Sequence, residues 1–295
     1  MDFQVVIKKA LPHIISLSIL IGSITIYFAP QLSGKIIAGG DVVSSTAWSK
    51  QVIDYKEETG ISSNWNPSMF SGMPWGLLTA GYQYNLIRSA DKLLRLGVTP
   101  PMGIVIKSGV VCYIGLLLLG LGPWVSLFGA LAFAFNVNYI ILLEAGHQSK
   151  LSVIANFPLI LAGLILCFRE KWTWGVPAIA FGTSLAIANN HPQMLYYLLM
   201  CFVVIGLVYL VGAFKRKELP TFLKMSTFAL MAAMLGALSN FSILSSAKSF
   251  ADDTMRGKPI LEQAANIAAT SSSTDGLEWN YAMQWSNETK DIMSV

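Results

Sequence analysis

The stretch NNHPQMLYYLLMCFVVIGLVYLVGAFKRK, residues 189–217, decides the fold class. Between Gln193 and Phe214 it carries no charged side chain. That run is close to the roughly 20 residues a helix needs to cross about 30 Å of hydrocarbon. Its two ends differ in kind. Asn189-Asn190-His191-Pro192-Gln193 crowds amides and an imidazole into one turn, whereas Lys215-Arg216-Lys217 is basic and plain.

Similar apolar runs recur near residues 11–30, 102–121, 124–143, 151–168, 174–189 and 221–244. With 193–214 they predict an all-α integral membrane protein of about seven transmembrane helices. The contrast between the two kinds of connection repeats along the chain. Lys8-Lys9, Arg169-Glu170-Lys171 and Lys215-Arg216-Lys217 form the basic set. The other set comprises residues 31–100, the turn Glu144-Ala145-Gly146-His147-Gln148-Ser149-Lys150, the turn 189–193 and residues 245–295. Excess Lys and Arg marks cytoplasmic loops, so the N-terminus is expected inside and the chemically loaded loops outside.

Composition agrees. The 295 residues are 54% hydrophobic and only 12% charged, where soluble domains are nearer one quarter charged. The net charge of +4 comes from scattered residues, with no basic run interleaved with aromatics, so nucleic acid is not an expected partner. Cys112, Cys167 and Cys201 lie inside apolar runs without metal or redox spacing. No phosphate loop and no Gly-x-Ser-x-Gly elbow is present, which argues against ATP-driven transport and an ordinary serine hydrolase. The first apolar run is longer than a signal-peptide core and is expected to stay as an uncleaved helix.

Two domains follow: a multi-spanning domain over 1–244, and the start of an extracytoplasmic segment over 245–295 that reads as the beginning of more chain. Within the large first loop, Ser44–Glu58 could form a surface helix, and the prolines and glycine of 64–75 forbid a regular one. Near 85–96 the helical period returns. Leu86, Ile87, Ala90, Leu93 and Leu94 share one face, opposite Arg88, Asp91, Lys92 and Arg95, with Asn85 as cap and Gly97 as stop. This predicts an amphipathic helix lying flat in the interface.

The loaded loops hold the candidate chemistry. Asp41, after two glycines at the outer end of the first helix, could act as a base. Glu144 and His147 are three apart and would share a face if the helix continues, where they could bind a metal, orient a substrate or pair with Lys150. Asn190, His191 and Gln193 suit sugar hydroxyls, and His191 can move a proton. Lys107 sits in an apolar run close to its outer end, where an ammonium either snorkels or meets a lipid phosphate. Lys248 and Arg256 follow the last run, and a guanidinium suits phosphate. Asn64 and Trp65 offer an amide and an aromatic face to a sugar.

Gly40-Asp41, the run Asn64-Trp65-Asn66-Pro67-Ser68-Met69-Phe70-Ser71-Gly72-Met73-Pro74-Trp75, Ala145-Gly146-His147-Gln148-Ser149-Lys150 and Asn190-His191-Pro192-Gln193 together resemble the YfhO-like bacterial membrane proteins. Thr254-Met255-Arg256-Gly257 and Tyr281-Ala282-Met283-Gln284-Trp285-Ser286 fit the same pattern. That family is similar to the GT-C class of glycosyltransferases, and the resemblance implies a sugar moved from a polyprenyl-phosphate donor to an envelope glycan or polymer outside the bacterial cytoplasmic membrane. It implies Asp41 as the catalytic acid of the first loop and Glu144 as a second acid by loop order. Lys107, Lys248 and Arg256 would hold the donor phosphate, while Asn64, Trp65, Glu144, His147, Asn190, His191 and Gln193 would bind sugar or acceptor. No cofactor is implied with certainty, and a divalent metal is compatible with the class. Two other functions compete: a transporter or flippase of lipid-linked glycans, and a non-catalytic scaffold for envelope assembly. Few polar residues fall mid-span, chiefly Asn136 and Asn138, which favours chemistry at the membrane edge over translocation.

Overall fold

A computed structural model describes residues 3–69, 71–75 and 85–251. The chain divides into two compact units at Ala247–Lys248, and nearly all described residues lie in the first.

Every apolar run is helical. α1 (Phe3–Tyr27) is followed by a short α2 (Ala29–Leu32) and by α3 (Gly40–Thr59), the helix expected over part of the first loop. A two-residue hairpin comes next, β1 (Trp65–Asn66) against β2 (Met73–Pro74), with Trp65 opposite Pro74. Then come α4 (Leu86–Leu94) and α5 (Met102–Leu118). Several predicted spans are interrupted, among them 124–143, 151–168 and, after Leu238, 221–244. The first gives α6 (Pro123–Ala134) and α7 (Val137–Ala145), the second α8 (Gln148–Ile154) and α9 (Phe157–Phe168). The breaks fall at asparagines, which compete with helix backbone for hydrogen bonds. Asn136 Oδ1 accepts from the Asn138 amide at 3.0 Å, and Asn156 Nδ2 donates to the Ser152 carbonyl at 2.8 Å. α10 (Trp172–Ala188), α11 (Pro192–Arg216), α12 (Leu219–Leu238) and α13 (Phe241–Ala251) complete the order.

Five stretches are long and apolar enough to cross a membrane: Gln4–Tyr27, Pro123–Ala145, Gln148–Phe168, Pro192–Arg216 and Leu219–Leu238. α5 and α10 are apolar but shorter, at 17 residues each. At about 1.5 Å per residue they reach about 26 Å. Most of the residues of each are buried, so less of their surface has to face hydrocarbon. The protein is thus an all-α, multi-pass membrane protein.

One apolar cluster joins α1, α5, α6 and α7 around Leu20, Ile24, Ile104, Tyr113, Leu127 and Leu143. Another joins α9 to α12 around Ile160, Ile179, Leu198 and Ala232, and Val111, Leu159 and Ala178 link α5, α9 and α10. Apolar burial has little driving force within lipid, so close helix approach matters more. A Cβ on Gly163 would lie 2.8 Å from the Gly175 carbonyl oxygen, and one on Gly175 only 2.7 Å from that of Gly163. α9 and α10 therefore touch backbone to backbone. α11 leaves Leu199, Val203, Val204, Leu207, Val208 and Val211 exposed, an apolar face suited to hydrocarbon.

Candidate functional site

α4 is the predicted helix turned the other way. Asn85 caps it as expected, its Oδ1 accepting from the Ile87 amide at 2.8 Å, and Gly97 follows its end at φ +72°. The polar edge, expected to face water, points inward. Asp91 is buried, while Leu86 and Leu93 are 82% and 74% exposed. Asp91 Oδ1 receives Lys107 Nζ at 2.6 Å and Asn189 Nδ2 at 3.1 Å, and Oδ2 lies 2.6 Å from Arg95 Nε. Burial pushes the Asp91 carboxyl up. Lys107 and Arg95, with hydrogen bonds from Lys107 and Asn189, more than offset this and hold it below its ordinary value.

Lys107 is wholly enclosed and also donates to the Ser152 carbonyl at 2.8 Å. It does not snorkel, and its ammonium is committed to Asp91 rather than open to a lipid phosphate. The physical reason is desolvation: inside a helix bundle an ammonium needs a carboxylate close by, and α4 supplies one. Arg95 extends the network, with Nη2 at 3.0 Å from Asn189 Oδ1 and 3.4 Å from Ser152 Oγ. α4, α5, α8 and the end of α10 are tied together by these few side chains.

Beside this network opens a cleft of about 200 Å³, lined by Arg88, Arg95, Pro100, Ile104, Gln148, Ser149, Ser152, Ala188, Asn189 and Asn190. Its wall is mostly hydrogen-bond donors. Arg95 and Lys107 face the single carboxylate of Asp91, so the network beneath the cleft carries an excess of positive charge.

The residue just before Gln148 of the cleft wall belongs to a carboxylate–imidazole pair. His147 Nδ1 lies 2.8 Å from Asp41 Oδ2. Asp41 stands in the first turn of α3, and His147 lies between α7 and α8. The two turns meet through glycines. A Cβ on Gly39 would fall inside the contact radius of the Glu144 carbonyl oxygen and 3.0 Å from the Gly146 nitrogen. One on Gly146, at φ +93°, would lie 2.9 Å from the Asp41 Cβ and 3.0 Å from the Val42 nitrogen. Any side chain at either position would push Asp41 and His147 apart.

Gly146 also ends α7, so Glu144 and His147 do not share one continuous helix face. The partner of His147 is Asp41. Glu144 contributes its carbonyl to the glycine contact, and its side chain is exposed. His191 is half-buried at the start of α11, and its Nδ1 is enclosed with no hydrogen-bond partner among the described residues. Burial, together with the positive charge of Lys150, holds His191 below its ordinary value. Asn190 lines the cleft at φ +52°, whereas Gln193 is exposed and bonds Tyr197 Oη at 2.7 Å. Pro192 begins α11, whose N-cap residue His191 makes no side-chain capping bond, and Asn189 turns back to Asp91.

The Asn-Trp-Asn-Pro motif is a folding device at its centre. Asn66, fully buried, donates to the Trp48 carbonyl at 3.0 Å and accepts from the Ser68 amide at 2.9 Å, pinning the hairpin to α3. Trp65 is half-exposed with its indole against Gly72, and Asn64 is exposed. Lys248 stands in the last turn of α13, and Arg256 lies outside the described residues. Among the described residues, no group of three or more His, Cys, Asp or Glu side chains is arranged to hold a metal ion.

Compared with family models, curated proteins and solved structures, the chain matches none. The geometry therefore carries the functional reading. Sequence reasoning named Asp41, His147, Asn190 and His191 but missed Asp91, Arg95, Asn189, Gln148, Ser149 and Ser152. A signal for Asp91 did exist: a lysine in an apolar helix needs a counter-ion, and the nearest acid was on the helix just before it.

Proposed function

We propose that this protein is a membrane glycosyltransferase of the GT-C type, acting outside the bacterial cytoplasmic membrane and moving a sugar from a polyprenyl-phosphate donor to an envelope glycan or polymer. The observation that carries the reading is the continuity of two features. A donor-rich, cationic cleft and a carboxylate–imidazole pair meet at the start of α8, where His147 of the pair directly precedes Gln148 and Ser149 of the cleft wall. Phosphoryl-linked sugar transfer needs both, a cationic seat for the leaving phosphate and a group to take the acceptor's proton.

Orientation rests on the basic turns. Glu170 lines the same small pocket as Arg216 and Glu218, so two of the three basic turns gather in one place. The excess of Lys and Arg assigns that end to the cytoplasm and the cleft to the outer face. With α5 and α10 counted, the chain would cross seven times. The outward Leu86 and Leu93 of α4 would then sit in the interfacial lipid, and α4 would form the side of the cleft nearest the donor's chain. The resemblance to YfhO-like proteins leads to the same place from the motifs.

In the transfer, Arg95, Gln148 and Ser149 would bind the phosphate, with Arg88 at the wall. Asn190 and His191 would meet the sugar or acceptor. The acceptor oxygen attacks the anomeric carbon, the bond from that carbon to the phosphate oxygen breaks with its electron pair, and the Asp41–His147 pair removes the proton. One observation favours a flippase instead: an ion pair as enclosed as Asp91–Lys107 inside a helix bundle commonly marks a transport pathway.

A binding measurement tests the cleft. The protein from the whole gene, extracted gently from its own host, should retain polyprenyl-phosphate sugar detectable by native mass spectrometry. Arg95→Lys keeps a cation beside Asp91 but loses the planar fork that grips phosphate. It is expected to lower the retained lipid about tenfold, the equivalent of about 1.4 kcal/mol. Unchanged retention would remove the cleft as the phosphate seat.

A further inference from the structure

We propose that His147 is the catalytic proton acceptor of the transfer and that Asp41, the acid favoured by sequence, is its positioning residue. This rests on the sugar-transfer reading and deepens it. An ionised carboxylate is an acceptor only, so the 2.8 Å contact requires the proton on His147 Nδ1. Neutral His147 then presents a lone pair on Nε2. The arrangement fixes the ring's tautomer and its direction together, and a carboxylate held on Nδ1 stabilises the imidazolium that forms when Nε2 takes a proton.

Asp41 is badly placed for the base role itself. It lies in the first turn of the 20-residue α3. One of its oxygens is already engaged by His147. The glycine contacts make the pairing a built feature, because Gly39 and Gly146 allow the two turns to approach more closely than any other residue would. His147 also immediately precedes Gln148 and Ser149 on the cleft wall, so base and leaving-group seat come from one turn. His191 has no carboxylate to orient it and is the weaker choice.

The step balances as follows. The acceptor hydroxyl gives its proton to His147 Nε2 as its oxygen bonds to the anomeric carbon. The sugar–phosphate C–O electron pair leaves with the polyprenyl phosphate. The imidazolium, facing Asp41, later returns its proton to water.

Chemical rescue tests the assignment. Membranes from a deletion strain carrying the whole gene as wild type, His147→Ala, His147→Gln or Asp41→Asn would be assayed for glycan product by mass spectrometry, at matched protein levels. His147→Ala and His147→Gln are expected to lose about 100-fold or more, the usual scale of general-base catalysis. Added imidazole should restore His147→Ala by at least about tenfold, because the cavity left by the ring admits a free base. Asp41→Asn should be impaired and unaffected by imidazole. A fully active His147→Gln beside a dead Asp41→Asn would make Asp41 the base and overturn the proposal. Failure of imidazole to restore any product would overturn it as well. If the wild-type gene itself changes no glycan, the sugar-transfer reading fails, a result distinct from either.

Discussion

Lys107→Met is expected to cost the solubilised protein about 1.5–3 kcal/mol, because Asp91 loses its ammonium partner and keeps only Arg95 and Asn189. Lys107 is wholly enclosed and its bonds to Asp91 and Ser152 hold α4, α5 and α8 together. The double variant Lys107→Met with Asp91→Leu should not recover the loss, because Arg95 and Asn189 then lose the carboxylate they share. Thermal unfolding followed by size-exclusion chromatography reads both. A single variant as stable as wild type would mean that the pair is not formed. The same carboxylate sets a pH dependence. Its folded value lies below the 3.8 of the free side chain, so its stabilisation is complete above that pH and fades as pH falls through the depressed folded value.

Gly39→Ala and Gly146→Ala are expected to abolish function while sparing the helices. The new Cβ at Gly39 meets backbone and the one at Gly146 meets the Asp41 Cβ and the Val42 nitrogen, none of them able to swing aside, so the α3 turn and the α7–α8 turn must separate. Asp41 and His147 lie on opposite sides of that seam, 2.8 Å apart. A displacement of about 1 Å can cost about 100-fold when reacting groups must be aligned, and a loss of that order in glycan product is expected. Gly40→Ala is the internal control: it is the neighbouring residue, but nothing lies within 4 Å of its Cβ position. It should keep near-normal activity, and equal losses at all three glycines would refute the seam.

The fold was largely legible because bilayer physics leaves few options. Long uncharged runs must be helices, and Asn85, Gly97 and Pro192 punctuate them where capping chemistry requires. The site was legible only by parts. Helical period shows which residues of 85–96 share a face and predicts a helix lying flat in the interface, but it does not show that the polar edge meets the bundle. The inward choice of Asp91 follows from Lys107 and Asn189, which arrive from other helices. The Asp41–His147 pair joins loops far apart in sequence, so no spacing could reveal it. The rejected Glu144–His147 pairing could have been doubted earlier, because a glycine between the two is a common helix stop. The trans-loop contact of Gly39 with Glu144 leaves no trace in the sequence beyond the glycines themselves.

The most direct measurement of sugar transfer is made in the native host. The whole gene would be deleted and restored, with envelope glycans and polyprenyl-phosphate sugars profiled by mass spectrometry and the leaflet of the lipid-linked sugar determined. Transfer at an outer-face cleft predicts that one glycan modification vanishes while its lipid-linked donor accumulates in the outer leaflet, and that His147→Gln reproduces the deletion. Accumulation in the inner leaflet would instead identify a flippase, and an unchanged profile of glycans and donors would contradict both.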